Sequence, residues 1–208
     1  MSAETRTVIG FLGGILTLAA FGPYIISTIK RETKPERATW WIWTLNSVLL
    51  LASYRAEGAQ ETIWLSVAYT IGCITIALFS IKYGTSTWSK LDLSCLIGTS
   101  FAGILWVIIG PLATFIASLI IDLFGITPTI YRSFHHPEEE NVLSWFMWFT
   151  GGFLSILVVE NILMRGKWSW DTLTIAAYPL QITITDTIVL LFLIRPRFKN
   201  YLFPKNND

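Results

Sequence analysis

The strongest constraint on this chain is the length of its uncharged stretches. No charged side chain occurs from Leu93 to Ile121, and the apolar character continues past Asp122 to Tyr131. A helix needs about 20 mainly apolar residues to cross the hydrocarbon core of a bilayer, so this stretch is too long for one crossing. Gly110-Pro111 divides it, because Gly turns the chain and Pro opens a helix in its first turn. The rest of the chain, read the same way, gives seven spans: Thr7–Ile29, Ala38–Tyr54, Thr62–Ile81, Leu91–Ile109, Leu112–Phe134, Val142–Val159 and Thr172–Ile194. Span one exceeds the apolar core of about 7–15 residues found in a signal peptide and is expected to be retained. Only 14% of the 208 residues are charged, against about 25% in an ordinary soluble domain. That is too little charge to clothe a soluble surface, and 53% hydrophobic residues exclude extended disorder. A net charge of +1 without a long basic cluster argues against a nucleic-acid partner. The expected class is an all-α membrane protein.

The chain also repeats itself. An ungapped offset of 105 residues pairs Pro23 with Pro128, Trp40 with Trp145, Trp43 with Trp148 and Leu49 with Leu154, and sets Thr39 against Ser144. Apolar matches mean little in so apolar a chain. The Pro and Trp matches carry information, because they hold one spacing across a helix, a loop and the next helix. Spans three and seven match at an offset of 109 through Ala68-Tyr69 and Ala177-Tyr178. The expected organisation is a first three-helix unit (1–84), a linker helix (85–111) and a second three-helix unit with a cytoplasmic tail (112–208). A single linker crossing sets the two units parallel, in a 3+1+3 layout. Parallel repeats of this kind are a transporter layout, with the site between the repeats near midplane.

The cationic residues set the orientation. Arg6, Arg55, Arg165 and Lys167 fall on the side of the N-terminus, and the other eleven of fifteen Lys and Arg fall on the opposite side. The positive-inside rule then places the N-terminus outside and the C-terminus in the cytoplasm, with a bacterial inner membrane as the expected location. Trp40, Trp41, Trp88 and Trp145 read as an inner interfacial belt, and Trp64, Trp106, Trp168 and Trp170 as an outer one. Trp43 and Trp148 sit one turn deeper and are candidates for solute contact.

Two acids lie inside spans. Asp122 falls about 16 Å from the inner end of span five at 1.5 Å per residue. An unpaired charge at that depth costs at least ~2.5 kcal/mol, so such residues usually face a cavity or a partner. A neutral Asp hydrogen-bonded to its surroundings is the bland reading. Asp186 lies in span seven with Gln181, Thr183, Thr185 and Thr187, a polar stripe that lines water or a ligand, or packs helices. Asn46, Tyr69 and Tyr178 complete the candidate substrate-binding set of Asp122, Asp186, Trp43, Trp148, Gln181 and Thr183. Pro23 and Pro128 lie within spans, where each removes a backbone hydrogen bond; they read as static kinks or as hinges for alternating access. Glu160-Asn161 reads as an outer gate or an interfacial pair. His135-His136 beside Glu138, Glu139 and Glu140 lacks the i, i+4 spacing of a helical metal site and reads as a solvated loop. Cys73 and Cys95 read as buried thiols. No metal, cofactor or catalytic residue is expected.

With the layout and Pro23 and Pro128 in place, the chain resembles the SWEET and PQ-loop transporters, and is similar to bacterial nicotinamide-riboside transporters. Those proteins carry Pro-Gln at the inner end of the first helix of each unit; here Tyr24 and Thr129 follow the prolines. The stretch Asp122, Gly125, Pro128, Thr129, Pro137, Glu140 and Trp145 is similar to a group of bacterial membrane proteins without an assigned activity. The resemblance implies a uniporter or proton-coupled carrier for a small polar solute, with membrane lipid as its other partner. Assembly of several copies stays open. Two alternatives remain: a receptor or cargo-binding protein of the same layout, and an intramembrane enzyme using Asp122 and Asp186. The chain has no GxGD, GxSG or HExxH context to favour the enzyme, and no Lys in span seven for a retinal Schiff base.

Overall fold

The computed structural model describes residues 1–33, 35, 37–84, 90–159 and 169–202. Trp88, Glu160, Asn161 and Trp168 lie outside them, as do the side chains of Cys95, Pro128 and Glu139. Among the described residues there are seven α-helices and no strand: α1 (Ala3–Ile29), α2 (Arg37–Ala56), α3 (Ile63–Tyr83), α4 (Lys90–Ile108), α5 (Pro111–His135), α6 (Val142–Val158) and α7 (Trp170–Leu202). A short 3-10 helix, Pro137–Glu139, precedes α6. Each expected span falls on one helix. Four of the helices, α1, α3, α5 and α7, are long and apolar enough to cross a membrane, while the apolar parts of α4 and α6 are shorter.

The helix ends follow local chemistry. Ser2 accepts a hydrogen bond from the Thr5 amide at 3.1 Å and starts α1. Asn141 does the same for α6 through the Ser144 amide, and Ser169 for α7 through Thr172; each side chain satisfies a donor that the first helical turn leaves open. Gly110, at φ +121°, takes a conformation that a Cβ disfavours and lets α5 start at Pro111. Arg37, at the start of α2, donates to the carbonyls of Ser80 and Ile81 at 3.2 and 2.7 Å and closes the end of α3.

The helices are inverted relative to those of a soluble protein. In α1 the buried face is Gly10, Gly13, Gly14, Thr17 and Ala20, followed by Phe21 and Tyr24. Its exposed face carries Val8, Phe11, Leu12, Ile15 and Leu18. α5 buries Thr114 and Ser118 completely and exposes Ile116, Ile120, Leu123 and Phe124. Most bulky aliphatic side chains of these two helices point outward, and small or polar ones, with a few aromatic rings, point inward, the pattern expected where the solvent is lipid and helices associate by close packing.

Packing arranges six helices in a closed ring. α1 packs against α3 and α6, α3 against α2, α2 against α5, α5 against α7, and α7 against α6. α4 lies outside the ring against α5 and α2; Thr114 of α5 donates to its Ala102 carbonyl at 3.0 Å. The α1–α6 crossing depends on glycine: a Cβ at Gly151 would collide with Thr17 Oγ1 and lie 2.9 Å from the Gly13 carbonyl. Gly151→Ala is therefore expected to destabilise the protein by about 1–3 kcal/mol. Gly22→Ala, at a helical position with nothing within 4 Å of the added carbon, should be neutral or slightly stabilising. Thermal unfolding of both variants in one detergent checks the pair, and equal midpoints would contradict the close crossing.

Candidate functional site: the cavity inside the helix ring

The ring encloses a cavity of about 100 Å³, room for several waters or a small solute. Every ring helix reaches it. α2 contributes one face over three turns, from Thr39 and Trp40 through Trp43 and Asn46 to Leu50, a depth of about 16 Å at 1.5 Å per residue. α7 contributes Tyr178, Ile182, Thr185 and Asp186, whose spacings of three and four keep them on one face. α5 contributes Asp122, and α3 contributes Tyr69 and Cys73.

Two tryptophan pairs form much of the wall. Trp40 and Trp43 on α2 meet edge to face, with ring centroids 5.2 Å apart at 88°. Trp145 and Trp148 on α6 meet at 5.2 Å and 83°. These are the residues that the 105-residue offset pairs, and the two units hold them in nearly the same geometry. Edge-to-face packing sets the positive edge of one ring on the negative face of the other. Trp40, Trp145 and Trp148 are buried together with Phe21 and Tyr24 of α1. The belt expectation is thus corrected for Trp40 and Trp145: both are core residues that line the cavity. Trp41, Trp64 and Trp170 do point outward. The cavity-facing tryptophans lie three residues apart, whereas Trp41 falls on the opposite side of the α2 cylinder.

Both membrane aspartates reach the same cavity. Gln181 Nε2 donates to Asp122 Oδ2 at 3.0 Å and to the Leu119 carbonyl at 3.2 Å. Tyr69 donates to Asp186 Oδ2 at 3.5 Å, a long contact at the limit of a hydrogen bond. Asn46 donates to the Ser118 carbonyl at 3.1 Å, and its own Oδ1 has no partner among the described residues. The same holds for the indole N–H groups of Trp43 and Trp148. Glu140, just after the 3-10 helix, lines the cavity and accepts the Trp145 indole N–H at 3.0 Å.

The expected residues therefore divide. Asp122, Asp186, Trp43, Trp148, Asn46, Tyr69 and Tyr178 line the cavity. Gln181 does not; it holds Asp122 from the side. Thr183 is corrected more fully. Its hydroxyl donates to the Pro179 carbonyl at 2.7 Å, and a Cβ at Gly152 of α6 would lie 2.8 Å from it. It belongs to the α6–α7 contact, because it stands about 100° around the helix from Ile182, at 3.6 residues per turn. Thr185 holds the lining position instead. Thr17, the repeat counterpart of Asp122, is fully buried against Gly151 and does not line the cavity. Pro23 lies inside α1, next to the cavity-lining Tyr24. His135 and His136 are exposed, with His136 Nδ1 3.6 Å from Glu138 Oε1. Sequence reasoning passed over Phe21, Tyr24, Cys73 and Glu140 as lining residues. The repeat was the one signal for Trp40 and Trp145.

One end of the cavity is closed by a cluster of Leu50, Tyr54, Leu65, Phe115, Tyr178 and Ile182. Tyr54 and Phe115 stack at 5.2 Å and 9°. Pro179 has no N–H, so the Ile175 carbonyl four residues earlier loses its helical donor. Tyr54 Oη lies 2.5 Å from that carbonyl and 2.7 Å from Thr62 Oγ1. A carbonyl only accepts, so the phenol donates to Ile175 and Thr62 supplies the other proton. This contact ties α2 to α7 across the two halves of the chain. At the opposite end the lining continues to Thr39, Thr129 and Glu140.

Tyr54→Phe leaves the Ile175 carbonyl without a donor in an apolar cluster. The expected cost is about 1–3 kcal/mol, read as a lower unfolding midpoint. An unchanged midpoint would show that the phenol does not bear on closure.

No family model, curated protein or solved structure matches this chain.

Proposed function

We propose that this protein is a multi-pass membrane transporter for a small polar solute, in which a three-helix unit (α1–α3) and a second one (α5–α7) alternate access to the cavity between them. α4 is the linker crossing that keeps the units parallel. One observation carries the reading: the packing ring maps onto itself when the units are exchanged. Replacing α1, α2 and α3 by α5, α6 and α7 turns the α1–α6 contact into α5–α2, α1–α3 into α5–α7, and α2–α3 into α6–α7, all of them present. A cavity at the interface of two parallel repeats is where such carriers hold their solute. The 3+1+3 arrangement is that of the SWEET-like carriers the sequence resembles.

The Lys and Arg distribution supplies direction. In this reading Thr39, Thr129 and Glu140 face the cytoplasmic side of a bacterial inner membrane and the Tyr54 cluster faces the outer side. The conformation described is then closed outside. Opening outward requires the Tyr54–Ile175 contact and the Tyr54–Phe115 stack to separate, both of which join the two units. Pro23, which leaves a helical carbonyl free in α1, is a natural place for that helix to bend. Asp122 and Asp186 are placed to bind the solute or to carry a coupled proton. A cargo receptor could share this cavity, and net flux separates the two.

Cys73 lines the cavity and provides a native probe. In a Cys95→Ser background, a membrane-impermeant methanethiosulfonate should label Cys73 faster from the cytoplasmic side than from outside. Tyr54→Phe should narrow that difference. Faster labelling from outside would contradict the orientation. In proteoliposomes a pH gradient should drive uptake if transport is proton-coupled, and Asp122→Asn should abolish the drive. Gradient-driven uptake unaffected by Asp122→Asn would remove the proton role of Asp122.

A further inference from the structure

We propose that the gap between α6 and α7, at the Glu140 end of the ring, holds one acyl chain of a phospholipid as a resident ligand. This lipid site does not depend on transport; it rests on the chain being a membrane protein. The two units differ at this place. In the first, Arg37 reaches from the start of α2 to the Ser80 and Ile81 carbonyls. The backbone closes in at the same end, where a Cβ on Gly84 would lie 2.6 Å from the Pro35 carbonyl. The 105-residue offset puts Val142 where Arg37 stands, and the 109-residue offset puts Leu190 where Ile81 stands. α3 stops at Tyr83, so its last carbonyls are open to a donor. α7 runs on to Leu202, which leaves the Leu190 carbonyl inside the helix, with nothing for an arginine at 142 to close. The second unit has instead an outward-facing groove, walled by Val142, Leu143 and Phe146 of α6 and by Leu190 and Ile194 of α7.

Place and shape select the occupant. Leu190 and Ile194 fall in the last turns of the apolar stretch of α7, which ends at Arg195, so the groove opens to lipid tails near the membrane surface. Its five apolar side chains offer no hydrogen bond to water or to a polar solute, and an empty groove would forfeit their dispersion contacts. Glu140 and Asn141 stand at one end of it, in the loop that precedes α6, which is the level of a lipid headgroup. Each wall spans four residues, about 6 Å at 1.5 Å per residue. A helix of a second copy, about 10 Å across with its side chains, needs a longer and wider seat, whereas a single hydrocarbon chain does not. The floor of the groove is also the back of the cavity wall, because Val142 and Leu190 pack on the cluster that contains Trp145 and Trp148. The acyl chain thereby closes in the second unit the gap that Arg37 closes in the first.

Retention in detergent separates a resident chain from bulk lipid. The photoreactive residue p-benzoylphenylalanine is placed at Leu143, in the groove, or at Ile26 of α1, outside it; the two are equally exposed, at 56% and 54%. Each full chain is reconstituted in nanodiscs of palmitoyl-oleoyl phosphatidylethanolamine and phosphatidylglycerol, extracted, washed in detergent and then illuminated, and intact mass reports the adducts. The expected result is an adduct of phospholipid mass at Leu143, at least about tenfold more abundant than at Ile26, the ratio given by burying about two further methylene groups of the chain. Ile194→Trp, which fills the groove, should lower the Leu143 adduct about tenfold. Equal adducts at the two positions, or a Leu143 adduct unchanged by Ile194→Trp, overturns the proposal. An adduct of fatty-acid mass alone overturns the phospholipid source, and a covalent dimer formed through Leu143 assigns the groove to a second copy instead. The comparison of Leu143 with Ile26 does not depend on the groove-filling variant folding.

Discussion

Lipid as solvent is the constraint on which the rest of this structure depends. In water a helix hides its large apolar side chains; here α1 and α5 turn them outward and keep glycine, threonine and serine inside. Helices that meet through small residues come close, as α1 and α6 do at Gly13, Thr17 and Gly151. They leave few aliphatic side chains to fill the centre, and much of the space is taken by aromatic rings, several of them packed edge to face. The cavity follows from this arrangement. It is the volume that six helices with small inner faces and a ring of tryptophans do not fill.

The same solvent accounts for the polar contacts. A backbone carbonyl that loses its donor inside a bilayer must find another one. Pro179 creates that need at Ile175, and Tyr54 meets it from across the ring. A defect in one helix thereby becomes a bond between the two halves of the chain, at the end of the cavity that is closed. The halves differ where the solute would sit. The α1–α6 crossing places Thr17 against Gly151, while at the α2–α5 crossing the equivalent positions hold Asp122 and Asn46. One crossing is tight and silent. The other carries the polar groups, so the polar lining is concentrated on the α2, α5 and α7 side of a ring whose packing is otherwise paired.

Much of this was legible in the sequence. Uncharged stretches and the Gly110-Pro111 break located all seven helices, because backbone groups in lipid leave few alternatives to a helix. The Trp40–Trp43 and Trp145–Trp148 spacing anticipated two matching pairs, and depth marked out Asp122 and Asp186. The phase of the polar stripe in α7 was not legible. Thr183, Thr185 and Asp186 are all polar, and only the position of α6 decides that Thr183 packs on Gly152 while the other two face the cavity. The partner of Asp122 was hidden for the same reason. Gln181 is 59 residues away in sequence, and no periodicity connects them. Interfacial and interior tryptophans also share one composition, so Trp40 and Trp41 could be told apart only by their angle around α2.

The central claim is that two three-helix units move against each other around one cavity. The most direct measurement is the distance between spin labels at Ala56 and Asp171, at the ends of α2 and α7 nearest the Tyr54 cluster, in a lipid bilayer. The account predicts two populations, a short one in which the Tyr54–Ile175 contact is made and a longer one in which it is broken, with solute shifting the balance between them. A single distance that persists with and without a transported solute would contradict it.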